Sequence, residues 1–390
     1  MQYSTEMLPV LGLILFFGLL VPSFFKWFHL PFATSLIWTG FIVGPNSLNY
    51  ISPNDTLRMF GFVGANFLML LAGFETPEYR TRIFNKKGTT ILFFSGFLPA
   101  LIGFLIPYSL DFSLSASLFV SAMFLTSSNL ISFSTVEHFG GEEGDLESTV
   151  RPLVAFLDLS GAMLAFLIFK YIEPHHRFSL PILLGLLISL IVVLRLFLTE
   201  VVTYFFHKFS EKREHESRLR LIISLLLMVT FLFSMLDVPS IISSFLVGYC
   251  LSSINDIDDI KDKLKTIGYG FFVPIFLFLV GLDLDFSFIS EIKNANFVFL
   301  GIVIGAILSK VVFGLIGFRL TGFPLKDSFV FGLLSSTRLT VTISVGYIAY
   351  QMQVIDSLLY TSLISITAIT TLFMPPLSVF VNRIGQGVRR

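Results

Sequence analysis

The chain has 390 residues, a mean hydropathy of +0.85 and only 13% charged residues, which excludes an ordinary soluble domain. Basic and acidic residues balance at 26 each, so net charge favours no class of partner, and we expect no nucleic acid among the partners. The single cysteine, Cys250, excludes an internal disulfide.

About thirteen apolar segments follow one another, and each approaches the roughly 20 residues that a helix needs to cross a bilayer. The predicted spans are 8–25, 31–49, 58–74, 88–110, 114–137, 149–171, 180–206, 217–236, 239–253, 266–282, 295–319, 326–349 and 357–381. No loop between them is long enough for a soluble domain. The sequence therefore predicts an all-α polytopic membrane protein, a single transmembrane domain over 1–390 that lacks a C-terminal soluble regulatory domain.

Basic residues are distributed unevenly between the two sides of this predicted topology. With the N-terminus outside, 19 of the 26 Lys and Arg residues fall in cytoplasmic segments and 4 in outside loops. Because cytoplasmic segments of membrane proteins carry the excess of Lys and Arg, we expect an N-out, C-in orientation.

The fifth span carries a polar run, Thr126-Ser127-Ser128-Asn129, about halfway along its length. The twelfth span carries a similar run around Ser335, Ser336 and Arg338. Hydroxyl groups of this kind can join neighbouring helices without breaking them. Two runs at corresponding depths instead favour crossed, discontinuous helices that line a central site.

The sixth span contains Asp158, the one convincing acid in the middle of a span. An ionised carboxylate in hydrocarbon is costly, so an intramembrane acid indicates a functional site. Lys310 in the eleventh span and Arg338 in the twelfth lie at a similar depth. A structural ion pair with either cation is the alternative, but it would not need the hydroxyl-rich runs beside it.

Two halves of the chain match at a constant offset of 208 residues. Pro31 and Gly40 correspond to Pro239 and Gly248, and the stretch 69–75 corresponds to 277–283. The offset displaces the second span onto the ninth, an odd number of spans, so the two copies are inverted in the membrane. We predict inverted repeats over about 1–175 and 214–390 with a linker helix over about 180–206, an arrangement typical of secondary transporters.

The chemistry of these residues suits monovalent cation exchange. Carboxylate, hydroxyl and carbonyl oxygens are hard ligands, and the sequence shows no His/Cys cluster for a transition metal. Burial disfavours an ionised Asp158 while a neighbouring cation favours it, so a proton and a metal ion can compete for this carboxylate. We therefore predict Asp158 as the site of a monovalent cation and expect no cofactor and no catalytic residues.

Two other transport functions remain open at this point. A gated K⁺ efflux pathway would need a continuous hydrated route, for which no selectivity-filter-like sequence is present. A sodium-coupled organic-anion symporter would use Arg338 or Lys310 to bind its substrate. An enzyme is not expected, because an intramembrane aspartyl protease needs two facing acids.

The chain resembles the monovalent cation:proton antiporter superfamily, in particular its branch of sodium/proton antiporters and potassium/proton efflux proteins. The resemblance rests on motifs in family order: Pro31…Gly40…Gly44-Pro45, Leu71-Ala-Gly-Phe-Glu-Thr76, Gly270-Phe-Phe-Val-Pro-Ile-Phe276, Gly281-Leu-Asp283, Thr126-Ser-Ser-Asn129, Asp158-Leu-Ser-Gly161, Lys310 and Arg338. It covers essentially the whole chain.

The resemblance implies that Asp158 binds the cation and the proton, that Thr126 and Ser127 contribute to the site, and that Lys310 is the core lysine. It also implies a core domain moving against a dimerisation domain, a homodimer, and a multi-pass location in a bacterial inner membrane. Two departures from the family pattern are Leu157, where the family has Asp, Asn or Gln, and Leu339-Thr340 after Arg338. Leu157 favours one proton per cation, because Lys310 lacks the acidic partner it would otherwise have.

Overall fold

The computed structural model describes residues 3–25, 32–74, 85–128, 145–172, 180–208, 216–235, 239–252, 254, 257–287 and 295–387. Within these ranges the chain is helical and contains no β-strand. The helices are α1 (Tyr3–Phe25), α2 (Phe32–Val43), α3 (Asp55–Phe74), α4 (Lys86–Ser109), α5 (Leu114–Leu125), α6 (Asp145–Ile172), α7 (Leu180–Lys208), α8 (Ser217–Ser234), α9 (Ser240–Leu251), α10 (Asp258–Leu282), α11 (Ala295–Leu320), α12 (Leu325–Ser336), α13 (Thr340–Gln351) and α14 (Ser357–Gly387).

Length and apolar composition suit these helices to a bilayer. In the described part of the chain, eight spans are long and apolar enough to cross a membrane, with α12 and α13 forming one of them, and four shorter apolar helices accompany them. Hydrocarbon offers no hydrogen-bond partner to backbone groups, so helices that satisfy these groups internally are favoured. The prediction of an all-α polytopic membrane protein is confirmed.

Most predicted spans coincide with helices, and two differ for local reasons. The span predicted over 31–49 ends as a helix at Val43, where a turn begins at Gly44 and Pro45. The span predicted over 266–282 begins eight residues earlier, at Asp258. Its charged first part, Asp258–Ile267, continues directly into the apolar part through a π-helical turn at Gly268–Phe272.

The predicted twelfth span is a discontinuous helix. α12 ends at Ser336, residues 337–339 are non-helical with Thr337 at φ −67° and ψ 134°, and α13 begins at Thr340. In the predicted fifth span, α5 ends near the centre, at Leu125, and Thr126 is extended at φ −60° and ψ 153°. Asn129 and the rest of that span lie outside the described residues.

Four glycines bring pairs of helices into backbone contact at positions related by the 208-residue offset. A Cβ atom on Gly40 of α2 would lie 3.2 Å from the Cα atom of Gly281 of α10. A Cβ atom on Gly248 of α9 would lie 3.1 Å from the Cα atom of Gly73 of α3. The α2–α10 crossing therefore has a counterpart in the α9–α3 crossing. Gly40 corresponds to Gly248, and Gly281 corresponds to Gly73.

The helices pack as two groups. The first, here called the flanking group, contains α1–α3 and α7–α10, in which α3 packs on α9 and α2 on α10. The second, here called the core group, contains α4–α6 and α11–α14, in which α5 packs on α4 and α6 and α12 on α11 and α14. Contacts between the groups are fewer and run mainly from α3 to α13 and from α2 to α14. The end of α5 and the break between α12 and α13 both lie in the core group, and 94% of the α12–α13 span is buried.

Candidate functional site

The C-terminal end of α5 and the break between α12 and α13 meet at the centre of the core group, in a region here called the helix crossing (residues 126–128 and 337–339). The Ser127 hydroxyl donates to the carbonyl oxygen of Ser335 at 2.6 Å, and the Ser128 amide donates to that of Thr337 at 2.7 Å. Ser127 and Ser335 are themselves equivalent under the 208-residue offset. Two residues related by the offset therefore contact each other directly at this crossing.

Local hydroxyl groups explain why both helices end here. Thr126 donates to the carbonyl oxygen of Met123 at 2.7 Å, and Thr337 donates to that of Leu334 at the same distance. Ser336 makes the same type of bond to Leu333 at 2.6 Å. Side-chain bonds of this type satisfy terminal carbonyl groups and compete with continuation of the helix. The Ser/Thr-rich runs therefore supply both the break and its capping.

Lys310 of α11 is fully buried and caps the C-terminal end of α5. Its ammonium group donates to the carbonyl oxygen of Leu125 and to the hydroxyl of Ser127, each at 2.8 Å. The C-terminus of a helix carries partial negative charge, so a cation is stabilised there. A buried lysine is thus anchored to the broken helix by neutral oxygen atoms.

Arg338, only 1% exposed, reaches the same helix end from α12–α13. Its Nη2 donates to the carbonyl oxygen of Phe124 at 3.2 Å, and its guanidinium lies 5.1 Å from the centre of the Phe124 ring. Nε and Nη1 have no hydrogen-bond partner among the described residues. Two cations therefore face the carbonyl end of α5, one through Leu125 and the other through Phe124.

Asp158 lies on α6 beside this arrangement and is 6% exposed. Its carboxyl group interacts electrostatically with the ammonium of Lys310. One turn further along, Gly161 packs so closely on α5 that a Cβ atom there would collide with Thr126 and lie 3.0 Å from the Ala122 carbonyl oxygen. Because Gly161 has no side chain, the segment of α6 that carries Asp158 can pack directly against the C-terminal end of α5.

Leu157 points toward a different neighbour. It is 2% exposed, and its side chain and that of Leu125 both lie against Gly96 in the π-helical turn Phe93–Phe97 of α4. π-Helical turns inside α-helices are frequent at functional sites. At position 157 the chain therefore presents an apolar surface to α4 and adds no second carboxyl group near Lys310.

Most of the residues predicted from the sequence lie in or beside the helix crossing. Those in the described part are Thr126, Ser127, Ser128, Asp158, Lys310, Ser335, Ser336 and Arg338. Asn129 lies outside the described residues. Their roles in binding an ion remain predictions.

Two hydroxyl groups of this region were not predicted from the sequence as site residues. Thr342 lies 2.9 Å from Thr126 between the two hydroxyl oxygens, and Thr370 of α14 accepts from the backbone amide of Arg338 at 3.3 Å. Thr342 belongs to the polar run of the twelfth span and could have been found there. Nothing around Thr370 distinguishes it from the other hydroxyl residues of α14.

Three kinds of comparison relate this chain to known proteins. A family model described as sodium/hydrogen exchanger, transmembrane, matches residues 12–380. The chain is 24% identical to the probable Na⁺/H⁺ antiporter 3 of Methanocaldococcus jannaschii, over 94% of each chain. It is 23% identical to a Na⁺/H⁺ antiporter of Enterococcus hirae, over 95% of this chain and 96% of that one.

A further relative and a solved structure extend the comparison. The Na⁺/H⁺-K⁺ antiporter GerN of Bacillus cereus is 22% identical over 351 residues, 89% of each chain. The structure of the sodium proton antiporter MjNhaP1 of Methanocaldococcus jannaschii superimposes with a TM-score of 0.68 at 17% identity, covering 97% of this chain and 99% of that one. This structural likeness identifies the fold.

Proposed function

The chain belongs to the sodium/hydrogen exchanger family, and from this membership we propose that Asp158 is the group at which it exchanges a monovalent cation for a proton. The observation that carries the proposal is the position of Asp158. It is buried in the core group, beside a helix break, and interacts electrostatically with Lys310.

Competition at one carboxyl group accounts for coupling. A protonated Asp158 is neutral, and an ionised Asp158 is compensated when it binds a cation. An ionised carboxylate without a bound ion is costly in the low-dielectric interior. The protein therefore changes the side to which Asp158 is exposed more readily when Asp158 holds a proton or a cation. The carboxyl group thus carries either a proton or a cation in each half of the cycle, which yields exchange.

Neighbouring oxygen atoms can complete the coordination of the cation. Hydroxyl groups of Thr126, Ser127 and Ser128 lie at the helix crossing, and such hard oxygen ligands suit Na⁺ or K⁺. Lys310 and Arg338 hold the carbonyl end of α5 in place. Relatives named for Na⁺, and one also for K⁺, support these two ions as substrates.

We also propose the finer features that the family resemblance suggests. The core group moves against the flanking group, which exposes Asp158 alternately to the two sides. A homodimer in a bacterial inner membrane is the proposed assembly and location. One proton per cation is the proposed stoichiometry, and it is supported by the apolar Leu157, which adds no second carboxyl group next to Asp158 in the sequence.

Cation-driven proton movement in everted membrane vesicles tests the function. Addition of Na⁺ or K⁺ to vesicles containing the parent protein should dissipate a pH gradient. Asp158→Asn should reduce this signal to that of vesicles lacking the protein, because the amide has no ionisable group to hold either substrate. Asp111→Asn, an equivalent change at an exposed turn residue, should leave exchange intact.

The same vesicles separate exchange from the two other transport functions. Cation flux without proton movement would indicate a gated K⁺ pathway. Transport of an organic anion that survives Asp158→Asn would indicate a symporter. Full cation/proton exchange by Asp158→Asn would show that the coupling site lies elsewhere.

A further inference from the structure

A second polar cluster lies away from Asp158, where the ends of α3, α10 and α13 meet. Arg58 and Asp283 form an ion pair with Nη1 and Oδ2 3.3 Å apart. Gln351, the last residue of α13, donates from Nε2 to the same Asp283 oxygen at 3.3 Å. The Tyr347 side chain, one turn earlier on α13, interacts with Arg58.

These four residues join the two helix groups. Arg58 and Asp283 belong to α3 and the end of α10 in the flanking group, whereas Tyr347 and Gln351 belong to α13 in the core group. The Arg58–Asp283 pair is thus internal to the flanking group. The contacts from Gln351 and Tyr347 cross between the groups.

Two further bonds cross the interface close by. Tyr360 of α14 donates to the carbonyl oxygen of Val280 at 3.2 Å. The hydroxyl of Thr361 donates to the carbonyl oxygen of Asp285 at 3.0 Å, and the amide of Asp285 donates back to that hydroxyl at 3.3 Å. The two groups are therefore connected by polar contacts at this membrane face, which the charge distribution predicts to be the outer one.

We propose that Arg58, Asp283, Tyr347 and Gln351 form an outer latch that holds the external side of the transport pathway closed and must open for the cation site to face outward. This inference rests on the proposed exchange cycle and adds positioning residues to it. If the core group moves against the flanking group, the contacts of Gln351 and Tyr347 are among those that must break.

The surroundings of the latch suit a contact that opens and closes. A cleft of about 480 Å³ borders it, lined by Arg58, Asp283, Tyr350, Gln351, Gln353, Ile355 and Asp356. The Arg58 side chain is 37% exposed and that of Asp283 only 8%. Water therefore reaches the cation side of the pair, while the carboxylate stays enclosed between the groups.

Asp283, which directly follows the apolar part of α10, depends on its partners to remain ionised. Burial raises the pKa of its carboxyl group, whereas the Arg58 guanidinium lowers it. Arg58 thus stabilises the carboxylate that accepts the bond from Gln351. The ion pair within the flanking group therefore keeps the acceptor of the Gln351 bond charged, which makes that bond stronger.

A cysteine placed deeper in the pathway can report opening. Ser344 of α13 lies seven residues before Gln351, about 10 Å along a helix, toward the helix crossing. It is fully buried, and its hydroxyl has no hydrogen-bond partner among the described residues, so Ser344→Cys is a conservative change. Cys250 is the only native cysteine, so Cys250→Ala provides the background without other thiols.

The experiment measures labelling of Cys250→Ala/Ser344→Cys by a membrane-impermeant maleimide added outside right-side-out vesicles. Gln351→Ala and Asp283→Asn should each accelerate labelling about fivefold or more, because each removes or weakens a hydrogen bond to a charged group that favours the closed state. Gln353→Asn is the matched control: Gln353 lines the same cleft, has a positive φ of 57° that asparagine tolerates, and should leave the rate unchanged.

Cation/proton exchange by the same variants separates the latch from the proposed function. Equal labelling rates in all variants, with exchange intact, would overturn the latch. Rapid external labelling of the parent would also overturn it, because the outer side would then already be open. Faster labelling of the latch variants in a protein that shows no exchange would overturn the proposed function and support the latch.

Discussion

At the residue scale, the candidate site contains two buried basic side chains and one buried acidic side chain. Lys310 and Arg338 are hydrogen-bonded to backbone carbonyl groups of α5, at Leu125 and Phe124. Hydrogen bonds to a charged group are stronger than neutral ones, so both cations fix the end of that helix. In the proposed cycle, Asp158 is the group whose protonation changes, and its charge acts on Lys310.

Leu157 offers a direct test of the proposed stoichiometry. Leu157→Asp would place a second carboxyl group next to Asp158 in the sequence, and this group could carry a second proton. We expect exchange by this variant to become dependent on membrane potential, as measured by Na⁺-driven proton flux in K⁺-free proteoliposomes under an imposed thiocyanate diffusion potential. The parent protein, with one proton per cation, should respond little.

Leu157→Asn is the control for this substitution. The asparagine side chain is similar in size to that of aspartate and also lies against Gly96, but it has no titratable proton. Voltage dependence of equal size in the Asn and Asp variants would contradict the explanation through a second proton. Voltage dependence in the parent protein would contradict the proposed ratio itself.

At the scale of helices, close packing at glycine determines how the flanking group is assembled. Gly281 of α10 lies against the backbone of α2, where a Cβ atom would be 2.9 Å from both the Ile37 carbonyl carbon and the Phe41 nitrogen. Neighbouring backbone cannot move aside as a flexible side chain can. Small residues at such crossings let helices approach closely, which strengthens packing in a membrane.

Gly281→Ala should therefore destabilise the protein. Overpacking of a tight contact costs typically about 1–3 kcal/mol, so the apparent Tm in detergent should fall by several degrees. Thermal unfolding followed by intrinsic fluorescence measures the change. Gly12→Ala in α1 is the control, because a Cβ atom there has nothing within 4 Å and alanine favours a helix. Equal melting temperatures for Gly281→Ala and the parent would contradict the close crossing.

The lengths of the apolar segments and the polar residues within them made much of the helical arrangement predictable. The hydroxyl-rich run before Arg338 indicated the break at 337–339, because those side chains cap helix ends locally. The start of α10 at Asp258 was not predicted, since charged residues resemble a loop when only hydropathy is considered. Helix Asp258–Ile267 instead buries Ile260 and Leu264 on one face and exposes its charges on the other.

Contacts between distant segments could be predicted only where a repeat or a shared depth related them. The common depth of Asp158, Lys310 and Arg338 follows from counting along each span. The bond between Ser127 and Ser335 could not be predicted in this way, because it depends on how the two helices cross in the folded protein. Nothing in the sequence relates Gln351 to Asp283, 68 residues away, because neither hydropathy nor spacing determines which helix ends meet.

At the scale of the whole molecule, the few contacts between the two groups support the proposed movement of one group against the other. Each group contains extensive helix packing of its own, while polar bonds at a few places join them. Bonds near the predicted outer face include those of the outer latch. The buried pair of Thr34 on α2 and Thr371 on α14, with hydroxyl oxygens 2.8 Å apart, joins the groups elsewhere.

A disulfide at this threonine pair should stop the exchange cycle. In the Cys250→Ala background, Thr34→Cys and Thr371→Cys would place two sulfur atoms where the hydroxyl groups now touch, a separation that needs little adjustment to form a bond. If the groups must slide past each other, oxidation should abolish cation/proton exchange in vesicles and a reductant should restore it. Each single-cysteine variant, oxidised in the same way, should keep its activity. Full exchange by the quantitatively cross-linked protein would mean that α2 and α14 move together, and the boundary between the moving parts would then have to lie elsewhere.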